Sequence, residues 1–261
     1  MRGSGEGGSP SMRSGRLAVK NVRGVLVPRT LGIWLVIASI VSALAVELAR
    51  PLGAEAVSRA GWGALAATVL VFSAGLVDDL SPAGPRGLRD HLRALVSGRV
   101  TTGIVKIVVV VAAAIVSIAL LGRGNGVDRF AGVVLVAGCA NLWNGLDVRP
   151  GRALKFGLVA MLGIVNAPIG ALPTLPGVAV GSALALWPDL REVAMLGDSG
   201  ANLLGFTIGY GLYSVLPGWG VEVGALVAVA LNVVADTITL SRVIGSVPPL
   251  RWFDQLGRRP E

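Results

Sequence analysis

Cysteine and histidine are almost missing from this chain: of 261 residues, one is cysteine (Cys139) and one is histidine (His91). A single thiol excludes an internal disulfide and a cysteine metal cluster. A single imidazole all but removes His-based metal centres and Ser-His-Asp triads. Cys139 sits in an apolar run, where it reads as a small packing residue. Charge is also scarce, at 15% of residues, and aromatics make up 5%. The 23 Lys and Arg outnumber the 15 Asp and Glu, giving a net charge of +8. The basic residues form no stripe interleaved with aromatics, so nucleic acid is not an expected partner. Residues 1–16 are rich in Gly, Ser and Arg without an apolar core. No cleavable signal peptide is expected there, and residues 1–20 read as a disordered cytoplasmic tail.

What the chain has in abundance is apolar sequence. It is 53% hydrophobic with a mean hydropathy of +0.73, well above the apolar share of soluble domains. Eight apolar stretches can be marked, at roughly 31–49, 60–77, 103–121, 130–143, 153–166, 168–187, 203–217 and 221–240. The expected fold is therefore all-α: a polytopic transmembrane helical bundle of about eight spans. The transmembrane domain would cover 21–242 and a cytoplasmic C-terminal tail 243–261. Three of the stretches, 130–143, 153–166 and 203–217, fall short of the about 20 helical residues that a bilayer core requires. With both termini inside, 19 of the 23 basic residues fall on the inner side, leaving Arg50, Arg59, Arg123 and Arg129 outside. That asymmetry predicts cytoplasmic termini, and the excess positive charge is a topology signal.

The loops assigned to the inner side hold the polar residues that chemistry uses. Asp78 and Asp79 stand where the 60–77 stretch runs out. Two carboxylates at a helix C-terminus repel each other and the helix dipole unless a cation is near; solvated acids at an interface are the plain alternative. Arg86, Arg89, Asp90 and Arg93 alternate with Leu88, Leu92, Leu95 and Val96 in the pattern of an amphipathic surface helix. Asn141, Asn144 and Asp147 are spaced three apart, sharing a face if the helix continues and converging at its rim if it unwinds. Amides and a carboxylate suit a nucleobase or sugar hydroxyls, although Asn144-Gly145 also reads as a turn and Asp147 as a cap. In MLGDSGANLLG, Asp198 stands at a helix start flanked by Gly197 and Gly200. Backbone N–H groups there could hold a phosphate while Asp198 ligates a cation, or Asp198 could be the cap. Asp236 lies near the inner end of the last stretch, either functional or snorkelling to the interface.

In order along the chain, Leu76-Val77-Asp78-Asp79, the loop from Asn141 through Asn144 to Asp147, and the loop from Met195 through Asp198 to Gly200 resemble three motifs of one family. It is the polyprenyl-phosphate N-acetylhexosamine-1-phosphate transferase family, and RGVLVPRTLGI at 23–33 also looks like its lead-in to a span. The resemblance covers about residues 20–240. It implies transfer of a sugar-1-phosphate from a UDP-sugar to a polyprenyl phosphate, with release of UMP, in cell-envelope glycan synthesis at the bacterial inner membrane. It also implies Mg²⁺, with Mn²⁺ as an alternative. Asp198 matches the family's metal ligand, Asp78 and Asp79 its essential pair near metal and acceptor phosphate, and Asn141, Asn144 and Asp147 its nucleotide-side loop. The sequence departs from the pattern at Asn144, where many members have Asp, and at Pro82, where several have Lys; Arg86 or Lys106 would substitute for that lysine. The family's His-rich loop is replaced by RWFDQLGRR at 251–259, and no counterpart of the family's first span is read in the sequence. A homodimer is compatible with this reading. On it, Asp79→Asn should lower turnover with little effect on folding. A membrane transporter and a catalytically inactive scaffold of the same family stay open as alternatives.

Overall fold

The structure, a computed structural model, describes residues 17–21, 23–53, 56–81 and 87–259. Among them a short hairpin, β1 (Ala18–Lys20) and β2 (Leu26–Pro28), precedes α1 (Leu31–Leu48), α2 (Arg59–Leu80), α3 (Gly87–Val96) and α4 (Thr102–Leu121). Then follow α5 (Gly126–Leu146), α6 (Arg152–Leu162), α7 (Leu175–Leu190), α8 (Gly197–Val215), α9 (Gly218–Thr237), α10 (Leu240–Ser246) and α11 (Pro248–Gln255). Local chemistry sets the helix limits. The Ser58 and Thr101 hydroxyls accept from Gly61 N and Ile104 N at the starts of α2 and α4. Asn125 and Asp128 form a reciprocal capping box on α5, and α4 stops at Gly122 in the left-handed region.

Four helices, α1, α2, α4 and α9, are long and apolar enough to cross a membrane. Their exposed side chains include Val41, Leu70, Val108 and Leu226, as expected of helices bathed in lipid. The bundle centre has the opposite character. α8 carries Asn202, Thr207, Tyr210, Tyr213 and several glycines, yet it is buried along nearly its whole length. It packs against α5, α2 and α1. Small residues allow these close crossings. A Cβ on Gly32 would stand 2.6 Å from Gly200 N, and one on Gly75 would stand 2.6 Å from Ser199 Cα.

Helix ends sort into two groups. At one end the C-terminus of α2 meets the starts of α4 and α8 through Asp78, Lys106 and Asp198. At the other, Arg123 beyond α4 donates to the carbonyls of Tyr213, Ser214 and Leu216 as α8 finishes. Ser58 donates to Gly170 O at that same far end, and α7 returns beside α1 with Gly177 and Gly181 against the α1 backbone.

Several sequence boundaries move. The stretches at 130–143 and 203–217 become helices of 21 and 19 residues, because the polar residues flanking them are helical too. The 153–166 stretch gives only the 11 residues of α6, about 16 Å of helix, followed by turns. The region assigned to a disordered tail at 1–20 is ordered from residue 17: Val19 pairs with Val27, and Asn21 Oδ1 accepts from Arg23 N and Val25 N to close the hairpin. The C-terminal segment is also docked. The Arg152 guanidinium makes two bonds to Asp254, 2.8 and 2.9 Å long. Lys155 Nζ donates to the carbonyls of Phe253, Asp254 and Leu256, the C-terminal end of α11. Arg86 and Pro82 lie outside the described residues, as do residues 1–16.

Candidate functional site

α8 begins without a cap of its own. Its N-cap position is Leu196, and no side chain there bonds the first turn. The orphan N–H groups of a buried helix start must find acceptors elsewhere, and an acid from another helix supplies two of them. Asp79 reaches across from α2, its Oδ1 3.0 Å from Asp198 N and its Oδ2 2.9 Å from Ser199 N. The Gly197 N–H faces Asp147, just past α5, and favours the charged form of its carboxyl. Arg29 Nη1 lies 3.1 Å from Asp79 Oδ1 and balances its charge, the Asp79 side chain being fully buried. Gly197 has φ 73 and would place a Cβ 2.9 Å from Asp79 Oδ2, so glycine is required both for the conformation and for the closeness of the carboxylate. The expectation that this helix start would cradle a ligand phosphate is thereby corrected, because the N–H groups of Asp198 and Ser199 already bind Asp79. Gly200 likewise packs against α1, where a Cβ would stand 2.8 Å from Gly32 Cα.

Freed from capping, Asp198 points elsewhere. Lys106, one turn into α4, places Nζ 2.6 Å from Asp198 Oδ2 and 2.7 Å from Asp78 Oδ2. Thr102, one turn earlier on α4, donates to the other oxygen of Asp78. Lys106 is nearly buried, whereas Asp198 keeps 34% of its side chain exposed, so the cluster faces an opening. The structure thus brings together Asp78, Lys106 and Asp198 from three helices and separates the roles of the adjacent acids: Asp78 faces the cluster while Asp79 holds α8. Among the described residues no group of three or more Asp, Glu, His and Cys converges. Two carboxylates nevertheless meet at one point, now held by an ammonium. Both are hard oxygen donors of the kind Mg²⁺ takes, so the donor set fits that ion.

The 141–147 loop is the last turn of α5 and its cap. Asn144 Oδ1 accepts from Asn202 Nδ2 at 3.3 Å, and the same amide nitrogen donates to Asp198 O at 2.7 Å, tying α5 to the start of α8. Asn141 Nδ2 donates to Asn232 Oδ1 on α9. Asp147 is held well above the usual carboxylate range by burial and by the neighbouring Asp189. Two cavities meet here. A large apolar one of about 490 Å³ runs between α4, α5 and α9, bordered by Val110, Val134, Ala137 and Val229 and, beside the cluster, by Lys106 and Asn202. A second, of about 440 Å³, is more polar and is bordered by Asn144, Gly145, Thr239 and Ser241. Asn141 and Asp236 border both.

Sequence reading missed Thr102, Asn202, Asn232 and Arg29. An Asn inside an apolar helix was the available signal for Asn202 and Asn232, since an amide there needs a partner; Arg29 lies in the 23–33 lead-in without standing out in it, and nothing local marked Thr102. No protein-family profile, no curated protein and no solved structure matches this chain.

Proposed function

We propose that this protein is a membrane phosphoglycosyl transferase that moves a sugar-1-phosphate from a UDP-sugar to a polyprenyl phosphate and releases UMP. One observation carries the reading: an apolar groove bordered by a lysine held between two carboxylates shares Asn141 and Asp236 with a polar cavity, in a bundle that includes membrane-length helices. A long isoprenoid chain suits the groove, and a nucleotide sugar suits the polar cavity. Their phosphates would then meet at Lys106.

In the reaction an oxygen of the polyprenyl phosphate attacks the β-phosphorus of the UDP-sugar. The bond from that phosphorus to the bridging oxygen breaks, and the bridging oxygen leaves on UMP. Several negative charges are crowded together along this path, so fixed cations are the main catalytic need. Lys106 would shift from its carboxylates onto the incoming phosphate oxygens. Asp78 and Asp198 would then hold Mg²⁺, which supplies charge neutralisation at the transferring phosphoryl group. Asn141 and Asn144 would present amides to the nucleotide sugar, and Asp147 and Asp79 would keep α8 in place. Eight passes of the chain would cross the bilayer with the site end in the cytoplasm. The test is UMP release by the purified protein in detergent with undecaprenyl phosphate, Mg²⁺ and a panel of UDP-sugars. Release that needs both substrates is expected; none from any pair would remove the proposal.

A further inference from the structure

Asn232 lies near the end of α9, the least buried of the four membrane-length helices, where an unpaired amide would be costly. Its bonds define its orientation. Nδ2 donates to Gly138 O at 2.9 Å and to Ala228 O at 2.8 Å, which uses both amide hydrogens and fixes which end of the group is oxygen. Oδ1 then accepts from Asn141 Nδ2 at 2.5 Å. The approach of α9 to α5 depends on Gly138, where a Cβ would stand 3.0 Å from that of Ala228. Asn141 is thereby set in one orientation, and among the described residues its Oδ1 and second N–H stay available where the groove and the polar cavity share it.

We propose that Asn232 is a positioning residue: it fixes the Asn141 amide in the orientation that binds the nucleotide-sugar donor. The role rests on the transferase reading. An amide that only ties α9 to α5 behaves differently on removal. It lowers thermal stability and leaves the two substrates equally affected.

The test compares UMP release by the parent, Asn232→Ser, Asn141→Ala and the double variant, varying UDP-sugar and undecaprenyl phosphate separately and recording melting temperature. A serine still bonds the carbonyl four residues back, as Ser73 does to Val69 O, but is too short to reach Asn141. Asn232→Ser should raise KM for the UDP-sugar about five- to tenfold, the worth of one well-placed hydrogen bond. KM for undecaprenyl phosphate should not move. Adding Asn232→Ser to Asn141→Ala should raise the donor KM no further, because residues that act through one another do not add. Asn232→Asp keeps the acceptor oxygen for Asn141 and should hold the donor KM within about twofold even where it melts earlier. An unmoved donor KM in Asn232→Ser, the same increase in both backgrounds, or an Asn232→Asp variant as impaired as the serine would each overturn the proposal. Where Asn232→Ser does not fold, the Asn232→Asp and Asn141→Ala pair decides by the same criterion. A parent that releases no UMP from any UDP-sugar overturns the transferase reading and this role with it, a result distinct from an active parent with an unmoved KM.

Discussion

Asp79 and Asp198 face opposite demands, and their asparagine variants should separate them. Asp79 gives both oxygens to backbone N–H groups of α8 and one of these also to Arg29. An Asn there offers one acceptor and turns an NH₂ toward a donor, and it leaves the Arg29 charge without its counter-ion. Asp79→Asn should therefore cost about 2–4 kcal/mol of stability, seen as an earlier melt in detergent, and any activity loss would follow from a displaced α8. The sequence-based expectation of little effect on folding is revised on this geometry; an unchanged melting temperature would refute the revision. Asp198 carries none of the capping. Its carboxylate meets Lys106, which keeps Asp78 as a second partner. Asp198→Asn should leave the melt within a degree or two and lower UMP release about a hundredfold or more, as loss of a group that acts on charge in the transition state does. Full activity across a magnesium titration would take Asp198 out of the site.

The elements differ in how much of them the sequence announced. Apolar runs marked α1, α2, α4 and α9, since a lipid-facing helix is apolar on its outside as well as its inside. α8 was harder to see: glycines, an asparagine and two tyrosines make a weak hydropathy signal in a helix that other helices, and not lipid, surround. The acids of the site were legible because charges are rare enough here to stand out. Their division of labour was not, because Asp79 and Asp198 are 119 residues apart in sequence, and no local pattern reports such a bond. The C-terminal helix α11 was equally hidden. Burial works against the charge on Asp254, but the bonds and charge of Arg152, with Arg258, outweigh it and hold the carboxyl below its usual 3.8. A depressed carboxyl adds stability that is complete above its unfolded pKa and is lost as pH falls through the folded one. Asp254→Asn should thus melt earlier than the parent at neutral pH, by about 3 kcal/mol because Arg152 is left buried and unpaired. The gap between the two melting temperatures should narrow as pH drops below about 4. A gap that stays constant from pH 7 to 3 would show that α11 is held by something other than this ion pair.

At the scale of the whole molecule, the bundle has two unlike ends, and the reaction proposed here requires a particular one to face the cytoplasm, where nucleotide sugars are made. The far end carries Arg50, Arg59, Arg123 and Arg129; the site end carries the remaining described basic residues, so the positive-inside rule and the position of the cavities choose the same side. Two exposed positions report on the ends directly: Leu52, 89% exposed just beyond α1, and Val96, 91% exposed at the end of α3. The native thiol does not interfere, because Cys139 is buried in the core. In sealed cells a membrane-impermeant maleimide should label Leu52→Cys and leave Val96→Cys untouched until the cells are permeabilised, with the parent unlabelled throughout. The reverse pattern would place Asp78, Lys106 and Asp198 on the outer face, away from any UDP-sugar pool. The bundle would then stand as a membrane protein of a different function, with the same carboxylate and lysine cluster facing a different solute.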